Sequence, residues 1–212
     1  MKEKNPLHSS RCRTTVAMYL AAATLVCVLF SSPLPAQFAV RPVNLAYLSQ
    51  RADVIIQGQI ISVDHKPLDG YPNISIVEVT LNVERSLRGL PGRTYTFREI
   101  NTGLRSREGK QAYRTGQRLF LFLPTPSQYE LSSPIGIGQG RFHIDVDSAG
   151  RSWLANEHGN AGLFLDVERD AARGGKKLTP DQRKLASTQH GPVQLEEFVS
   201  LVKSLTTLPR IR

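Results

Sequence analysis

Apolar and polar positions alternate most clearly over residues 52–123. In IVEVTLNVER (Ile76–Arg85), Val77, Val79, Leu81 and Val83 fall on one side and Glu78, Thr80, Asn82 and Glu84 on the other. A period of two marks a half-buried strand. RTYTFRE repeats the pattern, with Tyr95 and Phe97 on one face. ADVIIQGQIISVDH (Ala52–His65) is rich in Val and Ile, and its central Gly58 predicts a bulge or sharp bend. RLFLFLP (Arg118–Pro124) has no polar face, as expected of a strand covered on both sides. Turn clusters, LDGYPN and SLRGLPGR, separate these runs, and Asn101–Gln117 reads as a long polar loop.

The second half predicts shorter strands at Tyr129–Leu131, Arg141–Asp147, Ser152–Leu154 and Leu163–Asp166. Helical signals are fewer. Residues 37–50 suggest a lead-in with one helical turn. Thr179-Pro180-Asp181-Gln182 has the form of a capping box with proline at the first helical position, predicting a helix to about Ser187. Leu195, Phe198, Val199, Val202 and Leu205 form one apolar stripe, with Glu196, Glu197 and Lys203 outside it. Together these predict a mainly β fold: a small closed barrel (OB-like) or a sandwich, with a C-terminal helix packed on it. The expected organisation is a β domain over 37–166, a charged linker with a short helix over 167–192, and the helix over 193–212. No regular strand–helix alternation supports a doubly wound parallel sheet.

The first residues read as a secretory leader. Lys2, Lys4, Arg11 and Arg13 precede a 15-residue apolar stretch, Val16 to Phe30, followed by Ser31, Ser32, Pro33, Leu34, Pro35 and Ala36. A basic start, a short apolar core and small residues with helix breakers are what a signal peptidase site requires. Cleavage is expected after Ala36; an uncleaved anchor is the competing reading. Cleavage would leave no transmembrane span, since no apolar run reaches the roughly 18 residues a spanning helix needs.

Removing 1–36 changes the charge and the chemistry. The 212-residue chain has 27 Lys+Arg and 18 Asp+Glu; the leader holds four of the former and one of the latter, leaving a net +6 over 176 residues. Cys12 and Cys27 both lie in the leader. The processed chain therefore offers no disulfide, thiol nucleophile or Cys-ligated metal, and must depend on its apolar core.

The stretch Ala52 to Pro124 resembles the OB-type barrel of the netrin-like domains, which include the tissue inhibitors of metalloproteinases. The resemblance rests on ADVIIQGQIISV, VEVTLNVERSLRG and YRTGQRLFLFLP, about a third of the chain. The whole layout also resembles exported bacterial proteins of unknown function. The family's inhibitory site uses an N-terminal cysteine that chelates the target zinc. None remains after processing, so the resemblance implies a barrel and carries over no functional residue.

Two constellations stand out. His143, Asp145 and Asp147 lie two apart, on one face of a strand, with Phe142, Ile144 and Val146 on the other. One imidazole and two carboxylates could hold a divalent cation. Such residues sit about 6.5–7 Å apart, so another segment would have to help them converge. The bland alternative is a solvated strand face. The second constellation is basic: Arg85, Arg88, Arg93, Arg98, Arg105, Arg107, Lys110, Arg114 and Arg118, opposed between them only by Glu99 and Glu108. It could bind an anionic polymer or lipid headgroup, or serve only to solubilise a loop. Gly136-Ile137-Gly138-Gln139-Gly140 lacks the Lys-Ser/Thr ending of a P-loop and reads as a strand connection. No Gly-x-Ser-x-Gly elbow is present, and His65, His158 and His190 sit in polar segments.

The expectation is an exported, non-catalytic binding or structural module of the periplasm or cell exterior, without a cofactor. Its partners would be anionic envelope components or another exported protein, in preference to nucleic acid. A protease-inhibitor-like role is the alternative, and a metal-assisted hydrolase at His143 a third.

Overall fold

The computed structural model describes residues 41–89, 92–101 and 113–210. The expected leader, residues 1–36, lies outside them, as do Arg105, Arg107 and Lys110 of the basic set. Seven strands form one antiparallel sheet: β1 (Val54–Leu68), β2 (Tyr71–Arg88), β3 (Thr94–Ile100), β4 (Arg118–Leu123), β5 (Arg141–Val146), β6 (Ser152–Asn156) and β7 (Val193–Gln194). Their order across the sheet is β3-β2-β1-β4-β5-β6-β7. Four helices accompany it: α1 (Leu45–Arg51), α2 (Val167–Arg173), α3 (Pro180–Ala186) and α4 (Leu195–Leu205).

β4 sits at the centre and explains the layering. Leu119, Leu121 and Leu123 point to one face, and Phe120 and Phe122 to the other; all five are fully buried. On the phenylalanine face the sheet is covered by helices. Ile55, Phe142, Ile144 and Leu154 join Phe120 and Phe122 there, and Leu45, Leu48, Val167, Ala171, Leu185, Phe198, Val202 and Leu205 come down from α1, α2, α3 and α4. Phe198 lies in the middle, its ring centroid 5.1 Å from Phe142, 5.3 Å from Phe120 and 6.4 Å from Phe122. The apolar stripe expected for the last helix is the stripe that packs here.

On the leucine face the sheet covers itself. Ile56, Ile60, Val77, Val79, Leu81, Phe97, Tyr113, Leu119, Leu121 and Leu123 form a second core. The alternation read in Ile76–Arg85 supplies three of these side chains. This core requires strong curvature. In a flat sheet β3 and β5, four strand spacings apart, would be separated by about 19 Å. Instead the Arg141 guanidinium of β5 comes within 3.9 Å of the Glu99 carboxylate of β3. The Ser132 amide, in the β4–β5 connection, donates to the Arg98 carbonyl at 2.7 Å.

The expected closure into an OB-like barrel does not occur, and the described residues hold one sheet, not the two of a sandwich. The reason is backbone pairing. β5 is bonded to β4 through Arg141–His143 and to β6 through Phe142–Val146, so where it comes nearest β3, at Arg141–His143, its pairing is with β4 and β6. Across the gap, β3 makes an isolated parallel bridge, Arg98 with Leu131, instead of a ladder. The sheet stays open and runs on to β6 and β7.

Local expectations fared unevenly. Thr179 and Gln182 close the reciprocal capping box of α3, and Asn44 caps α1 by accepting from the Tyr47 amide at 2.8 Å. The β1–β2 register shifts between Gln57 and Gly58, and a Cβ on Gly58 would lie 2.5 Å from the Asn82 carbonyl oxygen, so the glycine is demanded by backbone approach. Leu163–Asp166 is a run of turns rather than a strand, and Tyr129–Leu131 contributes only the bridge at Leu131. The segment read as linker contains α2, whose Val167 and Ala171 reach the core.

Replacing Phe198 with alanine removes the ring that three sheet phenylalanines pack against, at a cost of about 3–5 kcal/mol. Urea denaturation should show a lower midpoint with an unchanged slope.

Candidate functional site

The β5 face that carries Arg141 and His143 turns to the inside of the curl. Paired residues of an antiparallel ladder share a face, and Leu119 pairs with His143 and Leu121 with Arg141. Arg141 and His143 therefore stand on the leucine side, at the gap between β5 and β3. Glu99 pairs with Val77 and lies on the same side from the β3 wall. Tyr113, which ends the β3–β4 connection, places its ring under Arg141, 4.8 Å from guanidinium carbon to centroid. It also stands edge-on to Phe97 at 5.5 Å. Glu157, just after β6, forms a close hydrogen-bonded ion pair with Arg141. Gln117 Nε2 lies 2.5 Å from His143 Nδ1. Four separate stretches of chain thus bring a guanidinium, two carboxylates, a phenol and an imidazole to one place.

Burial sets their protonation. Arg141 is 6% exposed and Tyr113 3%. Desolvation raises the Glu99 carboxyl above its ordinary value, and the Arg141 charge opposes the shift without reversing it. Desolvation lowers the His143 imidazole, and Arg141 beside it adds to the effect. Desolvation also drives the Tyr113 phenol upward. The cluster therefore favours a neutral imidazole, a neutral phenol and a carboxyl that gives up its proton reluctantly.

His143, Asp145 and Asp147 do not act together in this arrangement. Asp145 is exposed. Asp147 is committed to the β5–β6 turn: its carboxylate accepts from the Ala149 and Arg151 amides, from Arg151 Nε and from Trp153 Nε1, each at 2.9 Å. Among the described residues no group of three or more His, Cys, Asp or Glu side chains is placed to hold a metal ion.

The basic set divides into ties and free charges. Arg88 reaches from the end of β2 into the helical layer, donating to the carbonyls of Ser49, of Ala52 at 2.9 Å and of Thr206 at 2.5 Å. It thereby caps α1 and α4 at once. Arg118 grips Glu84 with two hydrogen bonds, at 2.9 and 2.7 Å. Arg85 does the same to Glu196 of α4, at 3.0 and 2.8 Å. Arg98 binds Glu78 at 2.5 Å and Glu130 at 2.6 Å. Arg93 and Arg114 are exposed. The remaining three lie outside the described residues.

Composition could not reveal the cluster, because Glu99, Tyr113, Arg141 and Glu157 are spread over 59 positions with no motif. One signal was present: Arg141 extends the His143 alternation by one step, onto the face that turns out to be enclosed. A scan of protein-family models and searches of curated proteins and solved structures find no match to this chain.

Arg141→Gln leaves the half-buried Glu99 and the more exposed Glu157 without their shared cation and should cost about 1–3 kcal/mol in urea denaturation. The turn hydrogen bonds hold the Asp147 carboxyl down to about 2. An NMR carboxyl titration should place its midpoint there. Its contribution to stability is present above the ordinary aspartate range and is lost as pH falls toward 2.

Proposed function

We propose that this protein is an exported, non-catalytic binding module whose basic β3–β4 connection contacts an anionic envelope component. The observation that carries the reading is where that connection is rooted. It leaves the sheet at Asn101, whose amide donates to the Ser75 carbonyl at 2.8 Å. It returns at Tyr113, under Arg141, and at Gln117, against His143. The leaving end is thus tied to β2, and the returning end stands at the open gap of the curled sheet. Arg114, exposed beside the return, lies close enough to His143 to depress its imidazole. The connection carries Arg105, Arg107 and Lys110 against Glu108 alone.

The ties formed by Arg85, Arg88, Arg98 and Arg118 narrow the proposed contact. These four are spent on internal carboxylates and carbonyls, so the proposed contact rests on the exposed Arg93 and Arg114 and on the basic sequence of Arg105, Arg107 and Lys110. Export is supported by the leader pattern of residues 1–36. No helix among the described residues is long and apolar enough to cross a membrane.

The test is binding to phosphatidylglycerol-containing vesicles and to a sulfated polysaccharide, with phosphatidylcholine vesicles as control. Affinity for one of the anionic surfaces should fall about tenfold between low and physiological salt, as screening shortens the reach of exposed charges. Changing Arg105, Arg107, Lys110 and Arg114 to Gln should abolish it. The double variant R85Q/R118Q should bind normally while losing some stability. Salt-insensitive binding, or none to either surface, overturns the proposal.

A further inference from the structure

A cleft of about 830 Å³ opens between α1 and α2, within the size range of small-ligand pockets. Leu45 and Leu48 of α1, and Val167 and Ala171 of α2, turn into the core. The polar stripes of the two helices are left to the cleft. Asn44, Tyr47 and Gln50, three residues apart, line one wall from the start of α1. Asp166, Arg169, Asp170 and Arg173 line the other along α2. The cleft belongs to the helical layer, whereas Tyr113 and Arg141 lie on the leucine side of the sheet, so it stands apart from the contact proposed above.

The acidic side chains of the cleft are already paired. Asp166 binds Arg169 at 2.6 Å. Asp170 accepts from Asn44 Nδ2 at 2.8 Å and stands 3.5 Å from Arg173. The donors are in surplus. Among the described residues, the Arg41 guanidinium, the Tyr47 hydroxyl and the Gln50 amide make no hydrogen bond or ion pair with a protein group. Three arginines in the lining face two aspartates, a net of +1. Pro42, Leu165 and Pro209 add apolar surface, and Leu165 is 65% exposed.

We propose that this cleft binds a small organic monocarboxylate with an apolar chain, its carboxylate on Arg41 and its chain along Pro42 and Leu165. A guanidinium meets a carboxylate with two parallel hydrogen bonds, and a phenol and an amide supply donors for the remaining lone pairs. Net charge selects the class. One negative charge neutralises the lining, whereas a phosphate dianion leaves an excess that faces Asp166 and Asp170. The chain covers a leucine that the fold otherwise leaves in water.

Titration of the whole protein with hexanoate at constant ionic strength, followed by amide NMR shifts, tests the cleft. Hexanoate should bind with a Kd on the order of 10 mM, as suits a ligand of its size, and shift the amides of Tyr47 and Gln50. Hexanol lacks the charge, acetate lacks the chain and hexyl phosphate carries too much charge; each should bind about fivefold or more weakly. Arg41→Gln, at an exposed position, should lose about fivefold in affinity with an unchanged Tm. Arg183→Gln, at an exposed arginine of α3 outside the cleft, should bind normally. No shift at Tyr47 and Gln50 up to about 50 mM hexanoate, several times the expected Kd, overturns the proposal. So does hexanol, acetate or hexyl phosphate binding as tightly as hexanoate, or full affinity in Arg41→Gln.

Discussion

A strand with no polar face governs this structure. RLFLFL can be stable only if both of its sides are covered. The chain meets the two demands differently. Helices, brought down by Phe198 and its stripe, cover Phe120 and Phe122. Curvature covers Leu119, Leu121 and Leu123, because the long hairpin of β1 and β2, with β3 at its edge, bends over until its own apolar residues meet them. The bulges along β1 and the close backbone approach at Gly58 let that hairpin bend. The open gap follows from the same geometry, since β5 pairs with β4 and β6 where it comes nearest β3.

Charge enters mainly as fastening. Five arginines join parts of the chain that the apolar layers bring near each other: Arg88 joins β2 to the ends of α1 and α4, Arg85 joins β2 to α4, Arg118 joins β4 to β2, Arg98 joins β3 to β2 and the β4–β5 connection, and Arg141 joins β5 to β3 and the segment after β6. Arg is suited to this because its planar fork makes two directed bonds at once. A basic composition thus need not mean a basic surface.

Not all of these fastenings are equal. The pairs of Arg85 and Arg118 are solvated enough to contribute modestly. Arg141 is enclosed, and its removal would strand two carboxylates. The base of the β3–β4 connection stands on this same cluster, with Tyr113 under Arg141 and Gln117 against His143.

The elements whose evidence is local were legible from residue order. Val77, Val79 and Leu81 declare a half-buried strand by period two; Thr179 and Gln182 declare a helix start; Leu195 to Leu205 declare an apolar stripe; Gly58 declares a bend. Each depends on neighbours within a few residues. Residue order does not separate a strand from turns at Leu163–Asp166, or a helix from a linker at Val167–Arg173, because short runs there satisfy either pattern and packing against α1 and the sheet decides between them. Closure, the burial of Glu99 and the role of each arginine were beyond residue order altogether. They depend on which strand takes the last free edge and on how sharply the sheet curls, and those are settled only when distant segments compete for the same backbone groups and the same apolar surface.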